Sequence, residues 1–398
     1  MDLTIYPRKL SGTIRAIPSK SQAHRLLICA AFSDVPTKIC CPETNQDIEA
    51  TAGCLRALGT EIDRTADGYY VIPAVTIPNS IEMDCCESGS TLRFILPIVC
   101  ALGIETTIHM SGRLPYRPLS PLWEELERMG CSLSRPTEST IHTSGQLTPG
   151  SYTIAGNVSS QFISGLLFAL SLINGESQLN VTGKTESKSY ITMTQRALSI
   201  FGVDTSDYHV TGSMPFHSPN EITVEGDWSN GAFYLTAAAL GNDLYVKNLD
   251  KDSPQGDRAI TDILAMDSDL PEISAANIPD LIPILAVYFA AKNGAQFTEI
   301  ARLRLKESDR VETVIQLLQS LGIRAEATDN TLRVYSGKFT SGIVNAYGDH
   351  RIAMTAAIAA TMADGPVTIL GAECVAKSYP TFWEVYQQLG GNYEQYIR

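Results

Sequence analysis

The chain has 398 residues, 44% of them apolar, enough for two or more domains with cores of their own. Its 30 Lys and Arg against 43 Asp and Glu give a formal net charge of −13, which argues against nucleic acid or an anionic membrane surface as the main partner but not against a small anion held by local charge. No apolar run reaches the ~20 residues of a membrane span, and the start MDLTIYPRKL has neither an apolar core nor an Arg/Ser-rich presequence, so a cytoplasmic protein without a targeting segment is expected.

Nine cysteines, eight of them before residue 132, include no CxxC pair and suit small buried thiols in a reducing compartment rather than disulfides or zinc.

Six times a short polar cluster opens an apolar, Ala/Leu-rich stretch with helical character. The openings read SKSQAHRLLICAAF, ESGSTLRFILPIVCAL, NVSSQFISGLLFALSL, GDWSNGAFYLTAAAL, IPDLIPILAVYFAA and GDHRIAMTAAIAATM. With Ser21, Ser88, Ser159, Ser229, Asp280 and Asp349 as markers, the steps are 67, 71, 70, 51 and 69 residues. A second helix in each repeat runs to a stop such as LRALG or LLQSLG, where glycine suits the residue after a helix end, and a strand follows. Each repeat therefore reads as helix–strand–helix–strand–strand. Six repeats divide most simply into three plus three, with a seam at 219–227. The expected domains are 14–225 and 1–13 plus 226–398.

The polar openings are rich in residues that hold oxyanions, and a helix N-terminus offers unpaired N–H groups with partial positive charge. Lys20 and Arg25 supply a compact charge and a planar fork, with Ser21 and Arg25 four apart on one helix face. The segment Ser88-Gly89-Ser90-Thr91 with Arg93 lets backbone approach an anion. Arg113 and Arg117 sit in a proline-stiffened turn. Ser159, Ser160 and Gln161 open the third helix, and Ser187 and Tyr190 fall in the strand-end loop ESKSY. Lys306-Glu307-Ser308-Asp309-Arg310 lies at a strand-to-helix junction, with Lys306 and Arg310 on one face and Glu307 within reach of Arg310. Asp349-His350-Arg351 and Lys377 complete the set. Asp280, the sole charge entering its apolar helix, is either an N-cap or a base. Each signal alone also reads as a capped helix or a solvated turn. If the repeats converge, Lys20, Arg25, Arg117, Lys306, Arg310, Arg351 and Lys377 ring one cleft. Such a ring repels itself unless anions fill it, and Asp280 and Glu307 are the only carboxylates placed in it for proton transfer.

In order and spacing, PSKSQAHR, SGSTLR, GRLPYRP, NVSSQF, ESKSY, IPD, LKESDR, GDHR and AKSYP closely resemble the motifs of the 5-enolpyruvylshikimate-3-phosphate synthase family, the 3-phosphoshikimate 1-carboxyvinyltransferases. The resemblance spans nearly the whole chain. It implies a two-domain inside-out α/β barrel, three βαβαββ repeats per domain, with the active site in the interdomain cleft. It implies attack of the 5-hydroxyl of shikimate 3-phosphate on C2 of phosphoenolpyruvate, protonation at C3, and loss of phosphate from a tetrahedral ketal. No metal or organic cofactor is implied, nor any nucleic-acid or membrane partner, and a monomer is expected.

Carried over by motif, Lys20, Ser21, Arg25, Ser159, Ser160, Gln161, Ser187, Tyr190, Asp280 and Lys306 would hold shikimate 3-phosphate. Lys20, Gly89, Arg117, Gln161, Arg310, Arg351 and Lys377 would hold phosphoenolpyruvate. Asp280 would take the hydroxyl proton, Glu307 would handle the proton at C3, and Lys20 would assist. The chain departs from the family pattern at Glu87-Ser88, at Phe94 and at Arg302. The rivals are a UDP-N-acetylglucosamine enolpyruvyl transferase, whose usual cysteine is missing from GRLPYR, and a non-catalytic anion-binding repeat protein, which has no use for Asp280 and Glu307.

Overall fold

The computed structural model describes residues 1–212 and 215–396. The chain forms two compact units, one of Pro18–Glu225 and one of Met1–Ile17 with Gly226–Arg398.

The first unit carries helices α1 (Lys20–Ala31), α2 (Gln46–Ala57), α3 (Gly89–Leu102), α4 (Leu122–Arg128), α5 (Ser160–Leu172) and α6 (Lys188–Ile200). The other carries α7 (Trp228–Ala239), α8 (Ile260–Leu264), α9 (Ile282–Ala290), α10 (Arg310–Ser320), α11 (His350–Ala360) and α12 (Phe382–Gln388). The odd-numbered helices are the six polar-opening stretches. Ser19, Ser88, Ser159, Asp227 and Asp349 cap five of them, each side chain accepting an N–H two or three residues on. Helix α9 is the exception: Leu281 stands at its cap position without a side-chain bond, and Asp280 lies in the turn before it. The N-cap alternative for Asp280 therefore fails. Helices α3, α5, α9 and α11 are apolar on nearly all sides and buried on nearly all sides, as that pattern requires.

The sheets lie outside the helices, and strands such as His209–Gly212 alternate exposed and buried residues. One topology recurs: a parallel pair flanking an odd-numbered helix, then antiparallel strands. Ser80–Asp84 runs parallel to Glu105–His109, which pairs antiparallel with Thr140–Gly145, and that strand pairs with Cys131–Thr137. The same order joins Glu272–Ser274, Ala295–Thr298, Thr331–Val334 and Ala325–Ala327. None of the sheets of the described residues closes into a barrel. The architecture is the α/β one expected, helices inside and sheets outside, with the fourth repeat the most reduced among the described residues. Within the 51-residue step, α8 has only five residues and, among the described residues, the local sheet only two strands, Asp243–Lys247 and Ser11–Arg15. The N-terminal strand Asp2–Tyr6 lies between Val367–Leu370 and Asn392–Tyr396, antiparallel to both.

The second helices end as read. Gly59, Gly130, Gly202, Gly322 and Gly390 all have positive φ, the left-handed conformation that a Cβ disfavours. All nine cysteines are free, and seven are buried.

Candidate active site

The candidate residues divide between the two units, and each unit gathers its own share. In the Pro18–Glu225 unit, Lys20 opens α1 and its Nζ lies 2.9 Å from Asp47 Oδ2 on α2. Thr91 on α3 donates to the Asp47 carbonyl at 3.4 Å, so the Lys20 ammonium sits close to the start of α3. Arg25 is buried one turn further along. It donates through Nε to Thr194 at 2.8 Å, through Nη1 to the Ser21 carbonyl at 2.5 Å and through Nη2 to the Tyr190 carbonyl at 2.9 Å. Its guanidinium thus brings Ser21 and Tyr190 together, and burial lowers it to about 10. Three of its five N–H donors are engaged by protein, which leaves two for a ligand. Tyr190 belongs to the first turn of α6 rather than to a loop, and Ser187 before it is buried with φ +53°.

A second cluster forms where α3 and α5 begin. Gln161 Nε2 donates to Ser90 Oγ at 2.9 Å, and Arg93 Nη1 donates to Gln161 Oε1 at 2.8 Å. A Cβ at Gly89 would collide with Arg117 Nη1 and lie 2.8 Å from Arg93 Nη1, so two guanidinium groups converge on that glycine. Arg117 Nε is buried without a hydrogen-bond partner among the described residues, a condition that an incoming anion would correct. Ser159 caps α5, its hydroxyl accepting from Gln161 N at 3.2 Å, and Ser160 is buried beside it.

Two of the family departures find local reasons. Phe94 packs edge-on against Phe168 and lies 5.1 Å from the Arg25 guanidinium, so it supports that arginine. The Glu87 carboxylate fills the space that a Cβ at Gly112 would need, at the root of the Arg117 loop.

In the other unit one carboxylate gathers three cations. Asp280 Oδ1 accepts from Arg310 Nη1 at 2.5 Å, Oδ2 from Arg351 Nη2 at 3.1 Å, and Lys306 Nζ lies 3.7 Å away. Arg310, 1% exposed, also donates to Glu307 Oε2 at 2.6 Å and, through Nε, to Asp349 Oδ2 at 2.8 Å. Lys306 precedes α10 in a bend, so Lys306 and Arg310 meet through Asp280 and not as neighbours on one helix face. Lys377 Nζ donates to the Gly348 carbonyl at 3.0 Å, one residue from Asp349.

Burial alone would raise the Asp280 carboxyl, but Arg351, Lys306 and Arg310 outweigh it and hold the group well below the usual carboxylate range. Burial pushes the Lys306 ammonium down to about 8 against the pull of Asp280.

Asp280 and Glu307 are not the only carboxylates beside these cations. Asp349 anchors Arg310, Asp47 anchors Lys20, and a buried Asp257 joins the Asp280 group. Asp257 accepts from Ser229 Oγ, and Arg351 Nη1 donates to the Ser229 carbonyl at 3.4 Å. Burial and the nearby Asp280 charge push Asp257 up to about 7. Lys20, Lys306, Arg310 and Arg351 are therefore balanced locally by protein carboxylates rather than left to repel one another. Asp349 stood in the GDHR motif as a marker only, and Asp47 and Asp257 carry no sequence signal beyond an acidic helix start and the dipeptide Gly256-Asp257.

Among the described residues no His/Cys/Asp/Glu group has the composition of a metal site, and no helix is long and apolar enough to cross a membrane. The arrangement suits an anion with more than one charged group, plus a carboxylate placed for proton transfer.

Comparison with known proteins agrees with this chemistry. A model of the family EPSP synthase (3-phosphoshikimate 1-carboxyvinyltransferase) matches residues 5–386. A 3-phosphoshikimate 1-carboxyvinyltransferase of Clostridium kluyveri is 36% identical over 99% of this chain and 98% of its own length. One of Clostridium acetobutylicum is 36% identical over 98% of each. Among solved structures, an EPSP synthase of Acinetobacter baumannii aligns with TM-score 0.80 at 24% identity over 99% of this chain and 100% of its own. The enolpyruvyl transferase NikO of Streptomyces tendae aligns with TM-score 0.77 at 19% identity over 99% of this chain and 98% of its own. These two likenesses bear on the fold.

Proposed function

The chain belongs to the EPSP synthase (3-phosphoshikimate 1-carboxyvinyltransferase) family, and from that premise we propose how its residues move the carboxyvinyl group of phosphoenolpyruvate onto the 5-hydroxyl of shikimate 3-phosphate. Lys20, Ser21, Arg25, Ser159, Ser160, Gln161, Ser187 and Tyr190 hold shikimate 3-phosphate. Gly89, Arg117 and Gln161 from one unit and Arg310, Arg351 and Lys377 from the other hold phosphoenolpyruvate, with Lys20 serving both. The reading has both sets acting on the same pair of substrates, as a cytoplasmic monomer.

The observation that carries this reading is the clamp on Asp280. Arg310 Nη1 and Arg351 Nη2 are bound to its carboxylate and suppress its basicity. An arriving substrate carboxylate competes for both guanidinium groups. Arg310 keeps its Nε bond to Asp349, so its position holds while its Nη1 changes partner. Asp280 then faces the 5-hydroxyl with fewer cations around it and accepts the proton as the oxygen attacks C2. Lys306 stays beside Asp280. Glu307 delivers the proton to C3, and the ketal later returns a C3 proton as the C2–O bond to phosphate breaks. The fixed cations stabilise the charge that moves during both steps without reorganising.

The test is phosphate release on mixing the protein with phosphoenolpyruvate and one acceptor. Release is expected with shikimate 3-phosphate alone, and Asp280→Asn should slow it about 10²–10⁴-fold while the protein stays folded. Release with UDP-N-acetylglucosamine instead, or with neither acceptor, would overturn the reading.

A further inference from the structure

Arg93 belongs to none of the ligand sets above, yet it stands where three segments of the Pro18–Glu225 unit meet. It lies one turn into α3 and is 4% exposed. Nη1 donates to Gln161 Oε1 at 2.8 Å on α5, and Nη2 to the Pro118 carbonyl at 3.3 Å, directly after Arg117. Its guanidinium carbon lies 5.5 Å from the centre of the Phe162 ring. The helices are pressed together at this level, because a Cβ at Gly165 of α5 would collide with the Arg93 carbonyl oxygen.

A guanidinium has five N–H donors and no acceptor. Bonded to Arg93, the Gln161 amide must turn its oxygen inward, and its nitrogen faces Ser90. One N–H of that nitrogen goes to Ser90 Oγ, and the second remains for a ligand. Without Arg93 the amide could flip and present a carbonyl oxygen to an anion. The same guanidinium holds the main chain after Arg117 and borders the space above Gly89.

We propose that Arg93 is a positioning residue for phosphoenolpyruvate: it fixes Gln161 as a hydrogen-bond donor and sets Arg117 and Gly89 in register, so that an anionic ligand meets only donors on this side. The proposal rests on the reading that Gly89, Arg117 and Gln161 hold phosphoenolpyruvate.

The test is a double-substitution cycle read by steady-state phosphate release, with thermal unfolding followed on every variant. Arg93→Lys keeps the charge and loses the fork. It should raise KM for phosphoenolpyruvate about tenfold, with KM for shikimate 3-phosphate changed far less. In a Gln161→Ala background the same substitution should add clearly less than about tenfold, because the part of its effect that passes through Gln161 is already lost. A folded Arg93→Lys protein with unchanged KM for phosphoenolpyruvate, or equal effects in both backgrounds, overturns the proposal. Should Arg93→Lys not fold, Gln161→Glu keeps the pairing with Arg93 but exchanges a donor for an acceptor, and an unchanged KM for phosphoenolpyruvate there is equally fatal. Arg117→Ala serves as the control. If it too leaves that KM unchanged, the assignment of the phosphoenolpyruvate site has failed; if it alone raises KM, only the role of Arg93 has.

Discussion

At the level of single residues, two side-chain environments make sharp claims. Lys306 faces Asp280, Arg310, Glu307 and Arg302, and burial brings it to about 8. Above that pH the group loses its charge, and anions are gripped less well. The alkaline limb of kcat/KM for phosphoenolpyruvate should therefore fall with a midpoint of about 8, and Lys306→Arg, which stays charged, should move that limb upward. Identical limbs in the two proteins would assign the titration elsewhere. Gly89 makes the second claim. A methyl group there would meet Arg117 Nη1 and crowd Arg93 Nη1, so Gly89→Ala should raise KM for phosphoenolpyruvate well above any change in KM for shikimate 3-phosphate. Parallel increases in the two constants would show that the glycine shapes something broader than the smaller ligand's space.

Between elements, the site doubles as joinery. Arg25 binds α1 to α6, Lys20 binds α1 to α2, and Arg310 binds α10 to Asp349 at the cap of α11. Asp349 is fully buried and satisfies Arg310 Nε, Ser308 Oγ and the Arg351 N–H. Removing it leaves a buried guanidinium short of a partner and a helix without its cap. Asp349→Ala should cost about 3–5 kcal/mol of stability at neutral pH, measured by urea unfolding. Burial works against ionisation of Asp349, but Arg310 outweighs it and the carboxyl sits below its ordinary value. A lowered carboxyl stabilises the fold above the unfolded value of about 4 and loses that contribution as pH falls through the lowered one. The gap between wild type and Asp349→Ala should accordingly narrow in acid, and a gap that ignores pH would mean that the ion pair is not its source.

Elements of this kind were unevenly legible in the sequence. The six inner helices could be read because a cap and an apolar run are local signals, and Ser19, Ser88, Ser159, Asp227 and Asp349 act as such caps. Asp47, Arg93 and Asp257 could not be assigned, because their partners lie 27 to 68 residues away in the chain. Lys306 and Arg310 read as neighbours on one helix face because they are four apart, but a bend stands where that spacing suggests a helix turn, and Asp280 supplies the link between them.

Across the whole molecule, a formal charge of −13 coexists with cationic groups drawn together in each unit, and the six-repeat pattern accounts for both units, least completely in the fourth repeat. The shortened fourth repeat shows in the sequence only as a 51-residue step, because a missing pair of strands leaves no residue to read. The N-terminal strand has a consequence of its own. Among the described residues, Asp2–Tyr6 finds its strand neighbours only at Val367–Leu370 and Asn392–Tyr396, whereas Pro18–Glu225 draws every sheet partner from within itself. During synthesis, then, the middle of the polypeptide should harden first on the ribosome while the earliest-made segment waits for the latest-made one. Arrested nascent chains that expose residue 225 should already resist protease over 18–225 and remain cleavable in 1–17. Protection that reaches both stretches only at full length would instead point to a single concerted folding event.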